Sequence, residues 1–148
     1  MKKRLYLIVV LVAVLLYSVF EEIRFLVLKT ELTEASHRAA VFGASSGSDA
    51  AHYTECTLIR DAALSVRHFS KITEQDILLE HGNTDGLYFE YCLPGTNIDE
   101  SPSLSNGDRL KITVFGEYKP LFFPIFRKTV AGKTVRTIIL PIKIIEQP

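Results

Sequence analysis

The sequence predicts an α+β protein in which one long N-terminal helix precedes a small antiparallel sheet. Three observations predict it. Residues 5–20 are sixteen positions without a charge, directly behind Lys2, Lys3 and Arg4. Apolar residues then recur at helical spacing as far as Phe42. Beyond Asp76 the pattern changes to short alternating runs parted by polar turns, and helices followed by strands is the order of an α+β fold. The chain has 148 residues, enough for one modest domain with an appendage. Its 17 basic and 17 acidic side chains cancel, so net charge points to neither nucleic acid nor an acidic substrate.

The first element is expected to cross a membrane. Sixteen helical residues rise about 24 Å against a hydrocarbon core of roughly 30 Å. Snorkelling by Arg4 and continuation through Ile23 to Leu28 lengthen the run. Cations ahead of an apolar segment stay cytoplasmic and send the rest of the chain outward. A cleaved signal peptide fits less well, since Ser18-Val19-Phe20 offers no small-x-small site. The core helix of a soluble domain is the bland alternative. Glu21 and Glu22 are read as the outer membrane–water boundary, because carboxylates in hydrocarbon are costly. The alternative is a buried glutamate paired with a neighbouring subunit. Glu21 and Arg24 are spaced for an i,i+3 ion pair, and no glycine or proline occurs before Gly43, so the helix is expected to continue past the boundary.

Phe25, Leu28, Leu32, Ala35, Ala39 and Phe42 follow one another at spacings of 3, 4, 3, 4 and 3, a heptad-like seam. Either the chain's own domain or a like helix in an assembly must cover it. Glu34 and Arg38 make an i,i+4 pair elsewhere on the surface. The expected organisation is a cytoplasmic basic tip at residues 1–4, a transmembrane helix and interface at 5–28, a stalk at 29–43, and an extracytoplasmic α+β domain at 48–148.

"GASSGSD", Gly43 to Asp49, breaks the first helix, and Ser48 or Asp49 can cap a second from Ala50 to about Phe69. Its stripe is Cys56, Ile59, Ala63 and Val66, joined by Ala62 and Phe69. "DILLEH" and "LYFEYCL" flank "GNTDG" and read as a β-hairpin. A polar loop from Pro94 to Asp108 leads to "RLKITVFGEY", where Leu110, Ile112 and Val114 alternate with Lys111, Thr113 and Phe115. A last strand is expected around Val135 to Ile145, with Pro141 at an edge or bulge.

Few residues suggest chemistry. Cys56 and Cys92 are the two cysteines. In an oxidising space they are expected to bridge, closing a loop of about 37 residues worth roughly 3–4 kcal/mol; two separate buried thiols are the alternative. His52 and Cys56 stand at i,i+4, but His37, His68, His81 and the acidic residues complete no metal-ligand spacing. "AGKT", Ala131 to Thr134, has Arg127 where a phosphate-binding loop needs glycine, and reads as a hairpin turn. "LPGTN" reads as an internal loop. No nucleophile elbow surrounds any serine or cysteine, so neither catalysis nor a cofactor is expected. "PLFFPIF", with Phe122, Phe123 and Phe126, is either a loop tucked over the sheet or an apolar surface for a partner or the membrane.

The stretch "LLYSVFEEIRFLVLKTELTEASHRAAVFGAS" and the later "RLKITVFGEYKPLFFPIF" resemble the TadE-like family of bacterial Tad pilus-assembly proteins, which are minor-pilin or pseudopilin-like. The shared features are an apolar helix with a glutamate near its end, an alanine-rich continuation, and an alternating strand that ends in tyrosine and a Pro-Leu segment. The resemblance implies a non-enzymatic, single-pass protein of the bacterial inner membrane. Its partners would be lipid and other membrane or pilin-like subunits in an oligomeric assembly. The second expectation, from a different class, is an accessory subunit of a larger membrane complex. One departure is visible: "MKKRLYLIVV" stands where family members carry a glycine and a glutamate before the helix.

Overall fold

A computed structural model describes residues 2–45, 55–66, 71–92, 105–121 and 125–139. Helix α1 (Lys2–Ala44) runs unbroken for 43 residues. It is followed by α2 (Cys56–Leu64), a 3₁₀ turn (Glu74–Asp76), and strands β1 (Ile77–Gly82), β2 (Tyr88–Glu90), β3 (Arg109–Tyr118) and β4 (Lys128–Thr137). The strands form one antiparallel sheet in the order β2-β1-β3-β4, which gives the α+β fold expected from the sequence.

The sheet's helix-facing side is built in rows. Ile77 of β1 pairs with Val114 of β3, which pairs with Gly132 of β4. The next rows are Leu79–Ile112–Thr134 and His81–Leu110–Arg136. Side chains two apart on a strand share a face, so Leu110, Ile112 and Val114 form one apolar ridge, and all three are fully buried. Leu32, Ala35, Ser36, Ala39 and Ala40 of α1 are fully buried against this side. The run of alanine and serine lets the helix come close, and Ser36 Oγ meets Thr134 Oγ1 at 2.8 Å. Helix α2 lies against α1, contributing Ile59 and Ala63, with Val66 just beyond it.

Two sequence expectations are corrected. The fourth strand is Lys128–Thr137, so it begins well before Val135, and "AGKT" lies in its middle rather than at a turn; residues 140–145 of the expected strand lie outside the described residues. Gly132 is there because α1 crosses on top of it: a β-carbon would sit 2.2 Å from the Leu32 carbonyl carbon. The local sequence reads as a turn, while the real constraint is the close approach of two backbones. The second helix is not continuous from Ala50 to about Phe69: it is described as Cys56–Leu64, preceded by Glu55 outside helical geometry (φ −84, ψ 66) and followed by a turn, while residues 50–54 and 67–69 lie outside the described residues. The first helix ends at Ala44, within the expected break that begins at Gly43. The hairpin joining β1 and β2 is as expected, closed by Gly86 at φ +84 and by the Asn83 side chain accepting from Leu87 N–H at 3.0 Å. His52, His68, Phe69, "LPGTN", Phe122, Phe123 and Pro141 lie outside the described residues.

Candidate functional site

Helix α1 is divided by its surroundings. Toward the C-terminus the seam is covered by the chain itself: Leu32, Ala35 and Ala39 are fully buried, and Phe25, Leu28 and Phe42 pack partly against the same core. Toward the N-terminus, Leu5 to Leu16 point their apolar side chains outward, as do Val19 and Phe20. The most apolar part of α1 is long enough to cross a membrane, and none of it is buried in the protein. That is the opposite of a soluble core helix, which hides its apolar residues.

The two regimes meet at Glu21, where the sheet reaches the helix. Tyr118 closes β3, and its hydroxyl donates to the Glu21 carbonyl oxygen at 2.9 Å and also to the Glu21 carboxylate. Leu121 N–H donates to Oε1 of the same carboxylate at 3.0 Å, and Arg24 pairs with it at 3.1 Å. The i,i+3 pair of Glu21 with Arg24 is therefore as the spacing predicts. The partners from the sheet, 97 and 100 residues away, left no local signal. Glu22 is exposed, and Arg4 lies near the far end of α1.

Aromatic contacts reinforce the junction. Phe25 and Tyr118 meet edge to face with centroids 5.4 Å apart, and Lys128 Nζ lies 5.3 Å from the Phe25 ring centre. Burial, reinforced by the hydrogen bond to Glu21, pushes the Tyr118 hydroxyl up to about 12, so it remains a donor at neutral pH. The loop that leaves β3 is stapled outside the core. Glu117 takes Lys119 at 2.9 Å and Arg127 at 3.3 Å. Lys119, and then Arg127, hold the Glu117 carboxyl below its ordinary value.

Cys56 and Cys92 form a disulfide, with α-carbons 5.8 Å apart, within the range such bridges need. It ties the start of α2 to the chain just after β2. The Arg60 guanidinium, buried beneath α2, donates to the Cys92 carbonyl oxygen, and desolvation lowers its pKa. The bridge and this donor together hold Cys92, a non-glycine residue at φ +59.

The remaining polar groups serve the fold. His81 Nε2 lies 3.5 Å from Asp108 Oδ2, and both side chains are almost wholly enclosed. Asp108 also accepts from Ser105 N–H at 2.8 Å, and Ile138 N–H donates to its carbonyl at 2.7 Å, which knots the start of β3 to the end of β4. An open apolar groove runs along α1 past Leu26, Val27 and Thr30 to Val66. Among the described residues no three His, Cys, Asp or Glu side chains converge on a point that would hold a metal ion. The arrangement locks a helix with a bare apolar half to a small disulfide-bonded head. No family model, curated protein or solved structure matches the chain.

Proposed function

We propose that the chain is a non-enzymatic, single-pass protein of the bacterial inner membrane, with its N-terminus cytoplasmic and its head outside the cytoplasm. We assign it, with the TadE-like proteins it resembles, to the assembly or structure of a Tad-type pilus. The observation that carries the reading is the bare half of α1. Leaving a large aliphatic side chain in water rather than burying it costs about 1.5–3 kcal/mol, and more than ten such side chains stand exposed between Leu5 and Phe20. Lipid or neighbouring helices must cover them. Lys2, Lys3 and Arg4 support the orientation, and the Cys56–Cys92 bridge fits an oxidising compartment.

One observation favours a second reading. The seam from Phe25 to Phe42 is covered by the chain's own sheet, so it offers no stripe to a second copy. That weakens packing through the seam and favours an accessory subunit of a larger membrane complex, with α1 as anchor and the head as binding domain. The test has two stages. A C-terminal tag on the full chain is expected to be digested by protease added outside spheroplasts; a tag protected until the membrane is opened refutes the orientation. Gentle detergent extraction then separates the readings by what co-purifies, pilus-assembly subunits or a different complex. Extraction as a lone monomer overturns both.

A further inference from the structure

The Glu21 junction fixes one loop at a defined height on α1. Leu121 N–H and the Tyr118 hydroxyl both bond Glu21, so the turn leaving β3 sits beside the helix position where the charge-free stretch ends. Three large apolar side chains described in this turn face solvent: Leu121 is 57% exposed, Ile125 88% and Phe126 69%. Single exposed apolar residues are ordinary, but three described within six positions, beside a bare apolar helix, are not.

The length of the helix says how high that surface stands. Sixteen charge-free residues supply about 24 Å of a roughly 30 Å hydrocarbon core, leaving about 6 Å to be found. Arg4 supplies part by snorkelling at the inner end. The remainder moves the outer lipid boundary past Glu21, where Ile23, Leu26 and Val27 continue the exposed apolar surface of α1. Glu21 tolerates that depth because Arg24, Tyr118 and Leu121 saturate its carboxylate, and the exposed Glu22 stands at headgroup level rather than in the acyl chains. A loop bonded to Glu21 is carried to the same depth.

We propose that Leu121, Ile125 and Phe126, the described apolar residues between β3 and β4, form a second membrane-contact site. Resting on the reading of α1 as a span, Leu121, Ile125 and Phe126 insert into the boundary between headgroups and acyl chains of the outer leaflet. Lys119, Arg127 and Lys128 stand at the level of the lipid phosphates. The occupant of the surface is phospholipid, and the two attachments together fix the rotation of α1 about its own axis.

The chain has no tryptophan, so one introduced residue reports its own surroundings. Three full-length variants are reconstituted into phosphatidylcholine–phosphatidylglycerol vesicles: Ile125→Trp in the turn, Leu11→Trp in the span, and Leu87→Trp in the exposed β1–β2 hairpin. Emission is measured with lipids brominated either near the headgroup or deep in the acyl chain. Ile125→Trp is expected to be blue-shifted relative to Leu87→Trp and to lose more than half its emission to the shallow bromolipid. Leu11→Trp is expected to be quenched by the deep one. If Leu11→Trp is quenched and Ile125→Trp responds only to aqueous iodide, the turn is in water and the inference falls while the span stands. Protection of Ile125→Trp from iodide without bromolipid quenching means protein covers the turn, and overturns the inference as well. Absence of bromolipid quenching at Leu11→Trp removes the span and the inference together.

Discussion

Replacing Gly132 with alanine tests the central packing decision of the fold. A β-carbon there would lie 2.2 Å from the carbonyl carbon of Leu32, 2.3 Å from its oxygen and 2.4 Å from Thr33 N. Carbon atoms pack favourably at about 3.5–4.0 Å, so more than about 1 Å of separation must be created. The obstructing atoms are helix backbone and cannot swing aside. Relief requires lifting α1 from the sheet along the crossing where Leu32, Ala35, Ser36 and Ala39 are buried. Overpacking that side chains can absorb costs about 1–3 kcal/mol; a backbone conflict belongs at the top of that range, about 3 kcal/mol or more. At about 4 °C per kcal/mol for a chain of this size, Tm is expected to fall by roughly 12 °C. Gly116→Ala is the control, because its β-carbon would meet only the methyl ends of flexible side chains, Leu32 at 3.0 Å and Leu28 at 3.5 Å, and a cost of about 1 kcal/mol is expected. Thermal and urea unfolding of the detergent-solubilised full chain, followed by circular dichroism, measure both variants. A Gly132→Ala protein no less stable than Gly116→Ala would refute the close crossing.

Further outcomes concern the same core and its ties. Leu32→Asp places a charge at a fully buried position and should undock α1 from the sheet, costing about 4 kcal/mol or more, while membrane insertion persists; protease sensitivity of the head and carbonate extraction read the two effects. Reduction of the purified protein should change its gel mobility, and Cys56→Ser with Cys92→Ser should cost about 3–4 kcal/mol by urea titration; free thiols in the unreduced protein would remove the bridge. Tyr118 titrates higher in the fold, about 12 against 10.0, so its contribution to stability is complete below pH 10.0 and lost as pH rises through about 12. Tyr118→Phe should lower stability at neutral pH by about 1–2 kcal/mol and make the loss between those pH values shallower.

What could be read in advance was whatever local spacing encodes. The seam was legible because burial follows helical periodicity, and Leu32, Ala35 and Ala39 are indeed enclosed. The first hairpin was legible because "GNTDG" carries its own turn chemistry. The Cys56–Cys92 bridge was legible as a pairing, since two cysteines allow one. Gly132 was misread because a glycine signals either a turn or a close approach, and the deciding atoms belong to Leu32, a hundred positions earlier. The alternating isoleucines from Ile138 onward set the expected strand late, whereas the described strand already begins at Lys128, where the apolar alternation is weak. Glu21 showed its Arg24 partner through spacing, but Tyr118 and Leu121 reach it only once the sheet exists. The turn around Leu121 was flagged by composition alone; its height on the helix is a property of the folded chain.

Helix α1 contains neither glycine nor proline from Lys2 to Phe42, and its second half is cemented into the head. Such a lever has no joint. A tilt of one end is carried to the other, and a neighbour that grips the head turns the bare apolar end with it. An orienting cue received at either end is thereby delivered to the other as an angle.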